Sequence, residues 1–332
     1  MPSNLDSKLP VAVKISVSSL KALEKQDATV IVKGPGVAFE LKSGFATLTG
    51  NDVSVEMEPK DVKSLNKDLN YSPVSLAFEL DVLMNNKKID KFNVKPVITV
   101  TLPKGTKSPE KQSAYVQNKD GSWQFIMTYY DPKTNTVSFS APHFSSYALS
   151  SYTKTFDDIK GHWAKAYIEE MASKQITSGV TDTEFEPNRS ITRAEFTMMA
   201  LKAIDQFEAG NGTFNDVKSD AWYADYLAKA KDLGLISANA IGNFYPEENI
   251  SREDMAVIVA KAHAILKDVT LESSTKKASF KDASDIDSSK MKYVSYVQEK
   301  GIITGYNNAF MPNDEASRAE ALSIIRQMIN TK

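Results

Sequence analysis

Three arginines carry the clearest chemical signal in this sequence, because each follows a Ser or Thr and stands two residues before an acid. They occur in Thr192-Arg193-Ala194-Glu195, Ser251-Arg252-Glu253-Asp254 and Ser317-Arg318-Ala319-Glu320. The hydroxyl residues are good helix N-caps with an acid at N3. The first and third are capping boxes, and the second has Asp where the box prefers Glu or Gln. Ile191 with Phe196 and Ile250 with Met255 match the hydrophobic staple that fixes a helix entry. Capping leaves the arginines unexplained. Arg193, Arg252 and Arg318 fall at N1, the positive end of the helix dipole, where a cation is slightly unfavourable. A cation placed there in every copy calls for a compensating anion. Two kinds stay open: an internal carboxylate, from Asp158, Asp216 and Asp282, or an external carboxylate or phosphate held by free helix N–H groups and a guanidinium fork.

Other side chains bear on what such an anion would belong to. Trp163 and Trp222 open an earlier helix in the first two copies; they suit stacking against sugar rings, and their helical spacing equally suits core packing. Ser289 takes that position in the third copy. Gly179 and Gly305 sit at a turn where Ala238 stands in the second copy, and a glycine there lets a ligand approach the backbone. His263 lies on an apolar stripe where the first copy has Ile204, which reads as a packed core histidine.

Catalytic and metal chemistry have little to work with. The 332 residues include no cysteine, which excludes disulfides, thiolate zinc sites and Cys nucleophiles. His143, His162 and His263 are far apart, with no second histidine at helical ligand spacing. No metal, cofactor or catalytic set is expected, and the paired acids fall at caps and repeat starts rather than as a hydrolytic pair. A net charge of −2 with both signs interspersed gives no field to attract nucleic acid or an anionic membrane. No run of ~18 apolar residues exists to cross a bilayer. Met1-Pro2-Ser3-Asn4-Leu5-Asp6 lacks the basic and apolar segments of a signal peptide, so the expectation is either a cytoplasmic protein or a piece of a larger exported one.

The arginine motifs recur because the C-terminal half is a three-fold repeat, opening at Phe156-Asp157-Asp158-Ile159, Phe214-Asn215-Asp216-Val217 and Phe280-Lys281-Asp282-Ala283. After each motif the apolar positions follow a helical stripe: Phe196, Met199, Ala200, Ala203, Ile204, Phe207; then Met255, Ile258, Val259, Ala262, His263, Leu266; then Ala321, Ile324, Ile325, Met328, Ile329. An earlier helix in each copy is marked by Tyr167, Ile168 and Met171, by Tyr226, Leu227 and Ala230, and by Tyr293, Val294 and Val297. Between the helices, Phe185-Glu186-Pro187, Phe244-Tyr245-Pro246 and Phe310-Met311-Pro312 end the preceding structure and supply an aromatic plug. A helix-loop-helix this small encloses little apolar surface alone, so the copies should share a core and place function where they meet.

Residues 9 to about 150 have a different period. Val11–Val17, Ala28–Val32, Val53–Met57, Val74–Leu80 and Val97–Leu102 are short, β-branched and mostly alternating, with a short helix possible over Ser18–Glu24. Gly34-Pro35-Gly36, Gly50-Asn51-Asp52 and Asp131-Pro132 break the runs, and Asp120-Gly121 before Trp123 is a hairpin signal. The pattern predicts an antiparallel β-sandwich. Ser145 to Thr155, without a strong apolar pattern, reads as a short linker. The resulting division is a β module over 1–150 and repeats over 151–210, 211–275 and 276–332.

Phe-x-Asp, His162-Trp163-Ala164, the turns Ile176-Thr177-Ser178-Gly179 and Gly301-Ile302-Ile303-Thr304-Gly305, Phe-x-Pro and Thr-Arg-Ala-Glu together resemble the S-layer homology domain in three tandem copies. The resemblance covers residues 156 to about 330; copy one is the closest, and copies two and three depart at Ala238 and Ser289. It implies an all-α pseudo-three-fold unit whose second helices form a central three-helix bundle. It also implies anchoring of exported proteins of Gram-positive bacteria to a secondary cell wall polymer linked to peptidoglycan, often bearing pyruvylated N-acetylmannosamine. Ligand contacts in that family lie in grooves between repeats and include the motif arginine. The carry-over is Arg193, Arg252 and Arg318 for the anion, Trp163 and Trp222 as groove walls, and Gly179 and Gly305 for backbone approach, with copy one's residues favoured. The N-terminal half resembles, less specifically, a β-rich module that precedes such repeats, most clearly at Asp120-Gly121-Ser122-Trp123 and Ser140-Ala141-Pro142-His143-Phe144-Ser145. The expectation is a noncatalytic cell wall anchor on a fragment of a larger secreted protein, with no nucleic acid, membrane or cofactor partner. The alternative is a self-assembling surface-layer protein whose β module makes lattice contacts.

Overall fold

The structure, a computed structural model, describes residues 11–63, 65, 71–72, 74–89, 92–206, 209–271 and 278–331. The chain divides into two compact units, Met1–Lys154 and Thr155–Lys332.

In the first unit the strands are β1 (Val11–Ser16), β2 (Val30–Gly34), β3 (Val37–Leu41), β4 (Asp52–Pro59), β5 (Leu76–Met84), β6 (Lys87–Lys88), β7 (Val97–Thr101), β8 (Gln112–Gln117), β9 (Trp123–Ile126), β10 (Tyr129–Asp131), β11 (Thr136–Ser140) and β12 (Ser145–Ser151), with helix α1 (Val17–Glu24) after β1. One sheet runs β1-β4-β5-β12-β8-β9 with β6 on β5, and the other runs β10-β11-β7-β3-β2. The described pairs are antiparallel. Alternation turns Val37, Phe39 and Leu41 of β3 and Ile98 and Val100 of β7 toward Val55, Phe78, Leu80 and Val82 of the other sheet, and all of them are buried in one core. The Asp120-Gly121 hairpin forms as its residues require. Gly121 has φ 85°, the Asp120 carboxylate accepts the Ser122 N–H at 2.9 Å, and Gln117 pairs with Trp123.

The linker reading of Ser145 to Thr155 is overturned. Ser145–Ser151 is strand β12, paired with β5 on one side and β8 on the other, and Tyr147, Ala148, Leu149 and Ser150 are all buried. A strand covered on both faces does not alternate. Its serines also read as solvent-facing until their bonds are known: the Ser150 hydroxyl donates to the Ser72 carbonyl at 2.9 Å.

The second unit is helical: α2 (Lys165–Ser173), α3 (Arg193–Ala203), α4 (Ala224–Asp232), α5 (Arg252–Lys267), α6 (Met291–Glu299) and α7 (Arg318–Asn330). The second helices of the repeats, α3, α5 and α7, pack pairwise on one another. Each first helix packs on the second helix of another repeat: α4 on α3, α6 on α5 and α2 on α7. Central position explains why burial on α3 and α5 exceeds one stripe. Ala194, Thr197 and Leu201 are buried as well as Phe196, Met199, Ala200 and Ala203, and Ala256, Ala260 and Ala264 as well as Met255, Ile258 and Val259. Phe207 of the first stripe lies outside the described residues. Each repeat's opening Phe meets its loop Phe, with ring centroids 5.6 Å apart for Phe156 and Phe185, 5.2 Å for Phe214 and Phe244, and 5.3 Å for Phe280 and Phe310. His263 is 1% exposed, with Nδ1 2.8 Å from the Tyr296 hydroxyl, and burial pushes its pKa down to about 4. It is a neutral core residue.

Candidate functional site

The helix entries are built as the motif predicts. Thr192, Ser251 and Ser317 accept the N–H of the residue three positions on, and the first and third complete capping boxes through Glu195 and Glu320. Asp254 is one methylene shorter than Glu and makes no return bond to its cap. Its carboxylate is thereby available to the neighbouring repeat.

The helix N–H groups are not available to a ligand, contrary to the expectation of free donors there. The Arg193 and Ala194 N–H groups donate to the carbonyls of Glu248 and Pro246, each at 2.9 Å. Those of Arg252 and Glu253 donate to Asp314 and Pro312, and those of Arg318 and Ala319 to Arg189 and Pro187. Every acceptor belongs to the next repeat, the third closing onto the first. The ring of repeats is thus sewn at the helix N-termini, and these carbonyls offset the dipole that made an N1 arginine costly.

Asp158, Asp216 and Asp282 do not take the arginines either. Each carboxylate accepts two backbone N–H groups of its own repeat's Phe-x-Pro loop, as at Phe310 (2.8 Å) and Met311 (2.7 Å) for Asp282. They hold the loop that carries the aromatic plug.

Each arginine instead reaches across to the next repeat. Nε donates to the carbonyl of that repeat's loop Phe, from Arg193 to Phe244 at 2.9 Å, Arg252 to Phe310 at 2.8 Å and Arg318 to Phe185 at 2.9 Å. The guanidinium lies over the same ring, 4.6, 5.6 and 4.7 Å from its centroid. Beyond this shared anchor the three differ. Arg318 donates from NH1 to Glu195 at 2.8 Å and from NH2 to the Ser178 carbonyl at 3.2 Å, and its side chain is 5% exposed. Arg193 is paired with Asp254, which also receives the Lys290 ammonium at 2.6 Å. Arg252 forms no ion pair among the described residues. The equivalent acid, Glu320, is folded back onto its own cap, accepting the Ser317 N–H at 2.8 Å.

The surroundings follow the same division. Burial pushes the Glu195 carboxyl up, but bonds from Arg189 and the Thr192 N–H and the Arg318 charge outweigh it and hold it below its ordinary value. Burial likewise opposes ionisation of Asp254, and Lys290 and Arg193 together overcome it. Burial pulls the Arg252 guanidinium down, with Glu320, Asp314 and Asp282 opposing at a distance. A guanidinium stays charged under such a shift.

Among the described residues, grooves open at two of the junctions between repeats. One, of about 390 Å³, joins Arg252 to Gly305 and Thr304 of the third repeat, Ser323 and Gln327 of α7, and Trp163 of the first repeat. Trp163 is 60% exposed, so it is a wall and not core. The other, of about 350 Å³, joins Arg193 to Ala238, Tyr245, Asp254, Ser289 and Lys290. Ser289 and Ala238 thus occupy the places that Trp163 and Gly305 hold in the first groove. At the third junction Trp222 stands 58% exposed before α4, which packs on α3. There Arg318 is sealed against Glu195 and the Gly179 turn.

Each groove therefore takes its arginine, its turn and its wall from three different repeats, and the residues of copy one do not meet in a single groove. The glycines have a packing role of their own. A Cβ on Gly179 would stand 2.2 Å from the Thr181 carbonyl oxygen, and one on Gly305, where φ is +72°, 2.4 Å from that of Ala309. Glu195 and Asp254 as cross-repeat partners of Arg318 and Arg193, and the support of Arg189 and Lys290 for those two acids, were missed from sequence. Asp in place of Glu at 254 was the one visible sign.

Comparison with known proteins identifies the repeats. The S-layer homology domain profile matches residues 155–197, 213–256 and 279–322. Amylopullulanase of Thermoanaerobacterium thermosulfurigenes is 33% identical over 317 residues, covering 94% of this chain and 17% of its own length. Exoglucanase XynX of Acetivibrio thermocellus is 35% identical over 239 residues, 69% of this chain and 22% of its own length. An S-layer protein of Bacillus anthracis is 29% identical over 175 residues, 52% of this chain and 20% of its own length. The chain spans less than a quarter of the length of these relatives. The helical unit consists of three tandem S-layer homology domains, preceded by a β-rich unit.

Proposed function

We propose that the helical unit is a noncatalytic anchor that binds an acidic secondary cell wall polysaccharide, with the acid group held by Arg252 and the sugar against Trp163. The three S-layer homology domains and the S-layer relatives support a cell-surface anchoring role. A stretch common to relatives named as an amylopullulanase, an exoglucanase and an S-layer protein fits a role separate from the activities those names carry. By this reading the chain is part of a larger exported surface protein, and the repeats hold it on the wall.

The observation that carries the reading is the Arg252 guanidinium, without an ion pair among the described residues, beside an exposed indole in a groove lined by hydroxyl and amide side chains and by Glu320, whose carboxylate is held on its own cap. A pyruvate ketal on N-acetylmannosamine supplies a carboxylate on a sugar ring, which matches both features. Calorimetric titration of the chain with purified polymer, intact and stripped of its acidic substituent, tests it: the intact polymer binds, and the stripped polymer binds at least tenfold more weakly. Equal binding of both refutes an anion site.

The Arg193 groove is held shut by its own acid. Asp254 occupies the place of a ligand carboxylate, and Lys290 fixes it there. In Asp254→Asn the cation becomes free, and the number of polymer segments bound per chain rises from one to two in the same titration. A count that stays at one means the groove lacks more than a free arginine.

A further inference from the structure

We propose that Asp314 and Ala164 determine which groove of the ring accepts an acidic ligand, by leaving the Glu320 carboxylate without a second cation to fix it on Arg252. This rests on the Arg252 groove being the binding site, and adds what keeps it open. At each junction the N3 acid of one repeat competes with a ligand for the arginine of another. In two junctions the acid holds the arginine, and both times a second cation clamps it. Arg189 donates to Glu195 at 2.7 Å, and Glu195 takes Arg318. Lys290 reaches Asp254 at 2.6 Å, and Asp254 takes Arg193.

The third junction lacks both clamps. Asp314 stands as far before the cap Ser317 as Arg189 stands before Thr192. Its backbone place is the same: the Arg252 N–H donates to the Asp314 carbonyl at 3.0 Å, and the Arg318 N–H to that of Arg189 at 2.8 Å. An acid at this place repels Glu320, where Arg189 attracts Glu195. Ala164 follows Trp163 as Lys290 follows Ser289, and it is buried and neutral. Capping alone does not keep Glu320 from the arginine. Glu195 accepts the Thr192 N–H at Oε2 and Arg318 at Oε1 together. Glu320 makes only the first kind of bond: its Oε2 accepts the Ser317 N–H and hydroxyl, and its Oε1 accepts no hydrogen bond among the described residues. The side chain has the reach, and the clamp is missing.

Asp314→Arg in the full chain supplies the clamp of the first repeat and shuts the groove. Calorimetric titration with purified polymer carrying its acidic substituent then reads a loss of affinity of about fivefold or more. Adding Glu320→Gln, which preserves the capping box, restores binding to the level of Glu320→Gln alone. Melting temperatures without ligand test the clamp independently of the polymer. Arg252→Ala and Glu320→Gln are additive in the parent chain, and in the Asp314→Arg chain they show a coupling of about 2–4 °C. Coupling with unchanged polymer affinity upholds the clamp and refutes binding at Arg252. Absence of coupling in the Asp314→Arg chain, or a loss of affinity that Glu320→Gln does not restore, overturns the proposal.

Discussion

Arg252→Ala lowers affinity for the acid-bearing polymer by about 10- to 150-fold, corresponding to the roughly 1.5–3 kcal/mol of a hydrogen bond to a charged group. The same substitution costs little stability. Arg252 neutralises no acid within ion-pair distance, so its removal leaves one carbonyl, that of Phe310, without its donor. Arg193→Ala gives the opposite contrast. Asp254 keeps Lys290, and polymer affinity changes less than threefold, because that guanidinium is already taken. Calorimetry on both variants, with thermal melts beside it, reads the two effects separately. Equal losses of affinity from both would remove the distinction between an open and an occupied groove.

Arg318→Ala destabilises the helical unit by about 3–5 kcal/mol, the usual cost of breaking a buried pair by deleting one partner. Its side chain is 5% exposed and joins the third repeat to the first through Glu195, the Ser178 carbonyl and the Phe185 carbonyl. Denaturant unfolding followed by circular dichroism measures the loss. Glu195 retains Arg189, which keeps the figure toward the lower end. The Glu195 pairing also sets a pH window. Because its folded pKa lies below the unfolded value, its stabilisation is complete above the ordinary carboxylate range and is lost as the pH falls through the depressed value. A variant as stable as the parent would mean the ring does not close through this arginine.

What the sequence made legible was local. Thr192 with Glu195 and Ser317 with Glu320 announce capped helices because both partners lie within one turn, and the stripe after each motif follows directly. The arginines' partners were not legible, since Arg193 meets Asp254 and Arg318 meets Glu195 only when three repeats close into a ring. Asp158, Asp216 and Asp282 were plausible partners by charge alone, yet backbone N–H groups in the Phe-x-Pro loops claim them first. Trp163 shows the same limit. Helical spacing allowed core or surface, and its place beside Arg252 depends on the way α2 packs on α7. In the β unit, β12 escaped notice because a central strand carrying Ser150 and Ser151 hides its burial in satisfied hydroxyls.

The most direct measurement of the central claim is a four-way binding cycle: the parent chain and Arg252→Ala, each titrated with the polymer carrying and lacking its acid group. If the guanidinium holds that acid, the two deletions are strongly non-additive, and removing the acid group from the ligand costs the Arg252→Ala chain almost nothing. If the losses simply add, Arg252 and the acid do not meet, and the polymer is recognised elsewhere.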